Sequence, residues 1–303
     1  MQISTNQFYS NNASLMAKLT QHTSDLQTQI STTKKYDAPS DNVVAYQQLA
    51  TIKQATASGS AYAANVDLAQ SLLQQSDSTL TSVESDLQKA SELVTQANSD
   101  TLTDAQRKTI STQLKSVLGD LVSLANTKDA RGQPLYGAAT GDSAVTQGAD
   151  GTVSFTGTGT PAAIPIGDGA NVQASDSAER VFGGIQTAGG KSDVFAILTK
   201  FAAALDAGGS VTAAASEAGD GLKAALTQVT SVHGSVGARE TRLDLAAAQL
   251  KTAAIDREAD RSTIEDTDIT TAVTELQKTM TVLQATQASF TKLSSLSLFD
   301  YLK

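Results

Sequence analysis

The stretch that decides the fold class is residues 221–255, which read GLKAALTQVTSVHGSVGARETRLDLAAAQLKTAAI. Its mainly apolar side chains recur at alternating steps of four and three residues, which places them on one stripe of an α-helix. A helix with so narrow a stripe must pack against other helices, so the stretch predicts a mainly α protein. The register runs through Leu222, Leu226, Val229, His233, Val236, Leu243, Ala247, Leu250 and Ala254.

Apolar stripes of the same period occur in the first half of the chain. A first helix is expected over about residues 5–33 and a long second helix over about residues 41–98. Pro39 separates them, because the residue before a proline avoids helical angles, and Ser40 is expected to be the N-cap. The second helix carries the register Leu73, Leu80, Val83, Leu87, Ala90 and Val94.

Capping signals mark three later helices. Thr103 followed by Gln106 has the spacing of a capping box, and so does Ser262 followed by Glu265 at the expected start of the last helix. Between them, Ser192 or Asp193 is expected to cap a short helix over residues 194–206.

Glycine and proline are concentrated in the middle of the chain. Residues 132–190 hold 13 of the 21 glycines and three of the four prolines. Short β-prone runs alternate there with turn residues, which predicts a small β-rich insertion. These runs are residues 135–136, 152–155, 164–166 and 180–182.

Helical ends on either side of a β-rich middle predict a folded-back rod. Long coiled-coil helices from both termini would pair, with a small β-rich domain inserted between them. We expect a terminal coiled-coil domain (residues 1–38 and 264–303), a helical rod domain (39–131 and 191–263) and an outer insertion (132–190). The terminal helices bury few apolar side chains for the backbone that they order, so we expect neighbouring copies to cover their other faces.

Composition excludes several classes of function. Lys and Arg number 22 against 31 Asp and Glu, which gives a net charge of −9 and argues against binding to nucleic acid or anionic lipid. The sequence has no apolar run of the roughly 18 residues that a membrane helix needs, and its start lacks a signal-peptide pattern. With no cysteine, disulfide frameworks and thiolate metal sites are excluded. We expect neither membrane insertion nor a cleaved signal peptide.

Three groups of residues could carry chemistry, and each has a simpler structural interpretation. Residues 189–192 (GGKS) resemble the end of a phosphate-binding loop, but Ile185 stands where that loop needs its first glycine. Acidic residues between 256 and 268 are interleaved with arginine, which is typical of a salt-bridged helix junction. His22 and His233 lie on apolar stripes without ligand-spaced partners. We expect no catalytic residue, no cofactor and no metal.

Short motifs near both ends resemble the bacterial flagellin superfamily. They are ISTN at residues 3–6, DAPSDN at 37–42 and STIEDTD at 262–268. Within that superfamily, the Pro-Ser-Asp element and the ending LSLFDYL (residues 296–302) resemble the hook–filament junction family rather than filament flagellins. GQPLYG at residues 132–137 is similar to the start of that family's outer domain, with Pro134 as an unusual insertion.

The resemblance implies a non-enzymatic structural subunit of the extracellular bacterial flagellum. Such subunits are exported unfolded through the flagellar type III channel and assemble as a ring at the hook tip. The implied partners are further copies of the chain, a neighbouring hook-associated protein on the hook side, flagellin on the filament side and a cytoplasmic export chaperone.

The resemblance also indicates which residues make these contacts. An amphipathic C-terminal segment suits helix-in-groove recognition by a chaperone. Ordinary packing within one chain remains the alternative for every residue of both sets. The expected subunit interface comprises Phe8, Leu15, Leu19, Leu26, Ile30, Ile269, Val273, Leu276, Met280, Leu283 and Phe290, and the expected chaperone-binding set comprises Leu283, Phe290, Leu293, Leu296 and Leu298.

Three other functions stay open from the sequence. A minor flagellin that builds the filament itself would share the terminal motifs. A nucleotide-dependent or metal-dependent enzyme would use residues 189–192 or the acidic cluster. A surface adhesin would use the middle insertion to bind a ligand.

Overall fold

The structure is a computed structural model that describes residues 2–99, 101–137, 139, 143–148, 151–157 and 159–300, with side chains described between residues 7 and 292. Most of the described residues lie in helices, and a small strand-containing region lies in the middle, so the expected fold class is confirmed. Within these residues the helices are α1 (Gln2–Thr32), α2 (Val43–Ala97), α3 (Asp104–Ala125), α4 (Ala178–Phe182), α5 (Val194–Ala207), α6 (Thr212–Glu265) and α7 (Ile269–Asp300).

The chain divides into two compact units. The terminal unit comprises residues 1–58 and 252–303, and the central unit comprises residues 59–251. The long helices α2 and α6 contribute to both units. The finer division into three domains stays a prediction.

The core of the central unit is built from the helical stripes that the sequence predicts. On α2, the side chains of Leu73, Leu80 and Leu87 are almost completely buried, and on α6 those of Val229 and Val236 are completely buried. Helices α3 and α5 pack against each other beside them, and the buried hydroxyl of Ser111 donates to the carbonyl of Ala202 at 3.0 Å. The four-and-three spacing therefore reports the buried face correctly.

Among its described residues, the middle region forms three separate antiparallel hairpins. They pair β1 (Val145–Gln147) with β2 (Val153–Phe155), β3 (Ile164–Gly167) with β4 (Ala170–Val172), and β5 (Ile185–Thr187) with β6 (Gly190–Ser192). A two-stranded ribbon is marginal by itself, so each hairpin depends on packing against its surroundings.

Aromatic rings and one asparagine join the hairpins to the helices. Phe195 of α5 lies 5.3 Å from Phe182 and 6.0 Å from Phe155 of β2, measured between ring centroids. At the end of α3, the side-chain oxygen of Asn126 accepts from the amides of Ala144 and Val145. The β-rich region thus shares one hydrophobic core with α3 and α5.

Two of the β-prone runs were wrong. Residues 180–182 belong to α4, because the Ser177 hydroxyl caps that helix by accepting from the amide of Arg180. Residues 135–136 form a turn after Pro134, although both side chains are buried. In such short runs an apolar pattern does not distinguish a strand from a buried turn or a single helical turn.

Two N-cap predictions were also wrong, whereas the Thr103–Gln106 capping box is confirmed and Asp193 caps α5. The cap of α2 is Asn42 rather than Ser40, since the Asn42 side chain accepts from the amide of Ala45 at 3.0 Å. Ser262 and Glu265 lie in the last turn of α6 instead of starting α7.

A matched pair of leucines tests whether the central core depends on the stripe. Leu243 of α6 is completely buried, whereas Leu245 is 61% exposed on the same helix. We expect Leu243→Ala to lower the free energy of unfolding by about 2–5 kcal/mol and Leu245→Ala to change it by less than about 0.5 kcal/mol. Urea denaturation followed by circular dichroism measures both, and equal losses would contradict this register.

Candidate functional site: the terminal unit

Helices α1 and α7 pack against each other along a thin seam. Leu26 of α1 and Ala272 and Thr279 of α7 are buried, and the rings of Tyr9 and Phe290 meet edge to face with centroids 5.5 Å apart. Leu26, Ala272 and Thr279 are the only buried side chains on the two helices between residues 7 and 292. The remaining seam residues are half-buried, namely Leu19, Ile30, Val273, Leu276, Leu283 and Phe290.

The other predicted interface residues point to solvent. Phe8 and Leu15 on α1 and Ile269 and Met280 on α7 are between 39% and 47% exposed. The predicted set therefore divides into residues of the seam and residues that the described part of the chain leaves largely exposed. Of the predicted chaperone set, the side chains of Leu293, Leu296 and Leu298 lie outside the described side chains, and their backbone belongs to α7.

Exposed large apolar side chains are concentrated in the terminal unit. Nine are present among the described side chains, and eight belong to this unit, Leu245 being the exception. Isolated exposed apolar residues are normal, but a concentration of them in one part of a chain marks an interaction surface. The eight are Phe8, Leu15, Val43, Val44, Ile255, Ile269, Met280 and Val282.

Sequence reasoning missed four of these eight residues, namely Val43, Val44, Ile255 and Val282. Val43 and Val44 open α2 directly after its cap, and Ile255 follows Ala254, the last residue of the α6 register. Val44 and Ile52 of α2 and Ile264 of α6 also line an open groove of about 430 Å³. The sequence signal that could have identified them is an apolar residue that lies next to a regular helical register but does not belong to it.

The helices of the terminal unit are interrupted at two places, between α1 and α2 and between α6 and α7. Backbone hydrogen bonds join these two breaks. Lys34 and Asp266 form an antiparallel bridge, in which the Lys35 amide donates to the Glu265 carbonyl at 2.7 Å. The Thr267 amide donates to the carbonyl of Thr33 at 2.9 Å. Thr33 has a φ of 59°, a left-handed conformation that is costly for a β-branched residue.

An ion cluster surrounds this bridge. The Glu265 carboxylate accepts from Lys34 Nζ and from Arg261 Nη1, each at 2.6 Å. Arg261 also donates to Glu258 and Asp266. Hydrogen bonds from Lys34 and then Arg261 hold the pKa of Glu265 below its usual value, so its contribution to stability is lost as the pH falls through that lowered pKa.

The acidic cluster thus forms the salt-bridged junction that its interleaved arginines predict. Among the described residues, no group of three or more His, Asp or Glu side chains is placed to hold a metal ion.

The DAPSDN segment (residues 37–42) forms a compact turn between α1 and α2. One carboxylate oxygen of Asp41 accepts from the amides of Asp37 and Ala38, both at 2.9 Å. The Tyr46 hydroxyl donates to the carbonyl of Asp37 at 2.8 Å. The hydrogen bonds from the amides of Ala38 and Asp37 lower the pKa of Asp41. The turn therefore fixes how the chain leaves α1 and enters α2.

The loop that resembles a phosphate-binding loop has another conformation. Residues 187–190 turn between β5 and β6 in the central unit, with Gly190 at a φ of 108° and the Thr187 hydroxyl donating to the Gly190 carbonyl at 2.9 Å. Asp193 rather than Ser192 caps the following helix. A hairpin turn does not present the row of amides that cradles a phosphate.

The two histidines have different surroundings. His22 is half exposed, with its Nε2 3.7 Å from Glu275. His233 is more buried and contacts two carboxylates of α2. None of the helices in the described part of the chain is both long and apolar enough to cross a membrane.

Family comparison agrees with this helical architecture. The model for the bacterial flagellin N-terminal helical region matches residues 3–139, and the model for the C-terminal helical region matches residues 220–302. The chain belongs to the bacterial flagellin family. The two matches cover both helical ends and leave out residues 140–219, which hold the hairpins and α5.

Two curated relatives are similar over most of their length. Flagellar hook-associated protein 3 of Salmonella typhimurium is 27% identical, with 99% of each chain covered. The protein of that name from Escherichia coli is 25% identical, with 91% of each chain covered.

Solved structures share the fold. A putative flagellar hook-associated protein from Vibrio parahaemolyticus matches with a TM-score of 0.67 at 18% identity, covering 74% of this chain and 99% of that one. FlgL of Xanthomonas campestris matches with a TM-score of 0.63 at 17% identity, covering 70% and 99%.

An engineered disulfide tests the junction, because the chain has no cysteine of its own. Residues opposite each other in an antiparallel pair have Cα atoms about 4.5–5.5 Å apart, within the range that a disulfide spans. We expect Lys34→Cys with Asp266→Cys to form an intramolecular disulfide on mild oxidation, detected by mass spectrometry of the peptides. Lys34→Cys with Glu258→Cys, about two helical turns away, is the control, and equal yields in both variants would contradict the bridge.

Proposed function

We propose that this chain is the non-enzymatic structural subunit that joins the flagellar hook to the flagellin filament. The observation that carries this proposal is the concentration of exposed apolar side chains in the terminal unit, eight of nine among the described ones. Similarity to hook-associated protein 3 of Salmonella typhimurium over 99% of both chains supports the junction role within the flagellin family.

The two units differ in how much of their apolar surface the chain buries by itself. The central unit has a continuous core in which the rings of Phe182, Phe195 and Phe201 are buried. The terminal unit has a thin α1–α7 seam and leaves residues such as Phe8 and Met280 in water. Each buried leucine-sized or phenylalanine-sized side chain contributes about 1.5–3 kcal/mol, so covering these residues with neighbouring subunits stabilises an assembly.

A minor flagellin is the less supported alternative. It would use the same terminal helices, but the curated relatives that cover more than 90% of this chain are named hook-associated protein 3. A junction protein is expected to stop at short rings, whereas a flagellin is expected to grow long filaments.

The proposed partners follow from this role. Copies of the chain would form the ring, with a hook-associated protein on the hook side and flagellin on the filament side, outside the cell. Before export, the C-terminal part of α7 would bind a cytoplasmic chaperone. An amphipathic helix of this kind, in which Leu283 and Phe290 are seven residues apart, suits a hydrophobic groove.

Deletion of the coding sequence in the source bacterium tests the role. We expect electron microscopy to find hooks without filaments and immunoblots to find flagellin lost to the medium. Filaments of normal or merely reduced length would favour the minor flagellin, and no flagellar change would contradict both.

Substitution of exposed apolar residues tests which unit assembles. We expect Met280→Ser with Val282→Ser to prevent oligomer formation in sedimentation velocity experiments, because both side chains lose the apolar area that a neighbour would cover. The melting temperature of the central unit should stay within about 2 °C of the original, since neither residue belongs to it. Leu245→Ser is the matched control in the central unit, and loss of assembly there instead would overturn this assignment.

A further inference from the structure

His233 lies in the central unit with its imidazole between two carboxylates of a different helix. Its Nε2 is 2.7 Å from Asp77 Oδ1, and its Nδ1 is 3.1 Å from Glu84 Oε1. Asp77 and Glu84 are seven residues apart on α2 and therefore share one face of that helix. The His233 side chain is 26% exposed, so water competes only partly for these contacts.

This arrangement is complementary to the protonated imidazole. A neutral imidazole has one N–H group and one acceptor nitrogen, so it can donate to Asp77 or to Glu84 but not to both. The other ring nitrogen would then direct its lone pair at a carboxylate. An imidazolium donates from both nitrogens and forms two charge-assisted hydrogen bonds between α6 and α2.

The charges around His233 favour the cation. Asp77 and Glu84 face it from α2, and Glu240 interacts with it from α6, one heptad further along. Among the ion pairs of the described residues, His233 is the only basic partner of Asp77 and of Glu84. Glu84 otherwise accepts a long hydrogen bond, 3.4 Å, from the Thr230 hydroxyl.

Burial and charge act in opposite directions on this residue. Desolvation lowers the pKa of His233, but the hydrogen bonds that it donates to Glu84 and Asp77, together with their negative charges, outweigh this effect, so the pKa lies above its ordinary value of 6.5. For Glu240, burial followed by repulsion from Asp77 and Asp244 raises the pKa.

We propose that His233 is a pH-dependent clasp, which holds α6 to α2 through both ring nitrogens at mildly acidic pH and releases one carboxylate when it loses its proton. Because the folded chain binds the proton more tightly than the unfolded chain, the stabilisation is complete below about pH 6.5. It is lost as the pH rises through the pKa of the folded state. The proposal concerns the stability of the central unit and does not depend on the proposed function.

Titration of the imidazole by NMR tests the clasp directly. The chain has two histidines, so His22→Gln leaves one resonance, that of His233, in the full-length protein labelled with ¹³C at the histidine ring. We expect its titration midpoint to lie above about 6.5 and to fall when Asp77→Asn and Glu84→Gln are added. A midpoint at or below that value, or one that the two carboxamides leave unchanged, would overturn the proposal.

Thermal melting at about pH 6 and about pH 8 tests the consequence for stability. We expect the melting temperature of the central unit to fall between these values by more in the unmodified chain than in His233→Gln. His22→Gln is the control, because that residue is half exposed in the other unit, and it should keep the full pH dependence. The same pH dependence in His233→Gln as in His22→Gln would contradict the clasp. The variant Asp77→Asn with Glu84→Gln, which keeps the imidazole, is compared in the same way.

Discussion

The seam between α1 and α7 is too thin to bury the apolar surface of the two helices that form it. Between residues 7 and 292 it buries only Leu26, Ala272 and Thr279, whereas in the central unit α3 alone buries eight residues and α5 seven. Ordering a helix costs conformational entropy at every residue, and here little burial within the chain offsets that cost. The exposed side chains of the terminal unit follow from this constraint, and so does its need for neighbouring subunits.

The junction beside that seam gives the terminal unit its defined geometry. The break between α1 and α2 lies beside the break between α6 and α7, and a backbone bridge between Lys34 and Asp266 joins them. Arg261 and Glu265 surround the bridge with charge, while Asp41 organises the turn that contains Pro39. The carboxylates of this junction lose their stabilising effect as the pH falls, whereas the clasp at His233 loses its effect as the pH rises. These two sets of contacts thus respond to pH in opposite directions.

The sequence predicted those features that depend on a long repeated pattern. The heptads of α2 and α6 identified the buried leucines, and the spacing of Thr103 and Gln106 identified a helix start. Short signals failed where a neighbour decides the outcome: residues 180–182 became a helix because Ser177 caps them. A periodic pattern also cannot tell which apolar residues a partner helix of the same chain will cover. Leu26 and Leu15 have the same place in the α1 pattern, yet one is buried and the other is 47% exposed.

The most direct test of the account is hydrogen exchange measured on the full-length chain, first free and then assembled. We expect amides of α1 and α7 to exchange faster in the free chain than those of α2 and α6 within the central unit. On assembly, the exchange of α1 and α7 should slow, while that of the central unit stays nearly unchanged. Terminal helices as well protected in the free chain as the central core would contradict the claim that the terminal unit depends on neighbouring subunits.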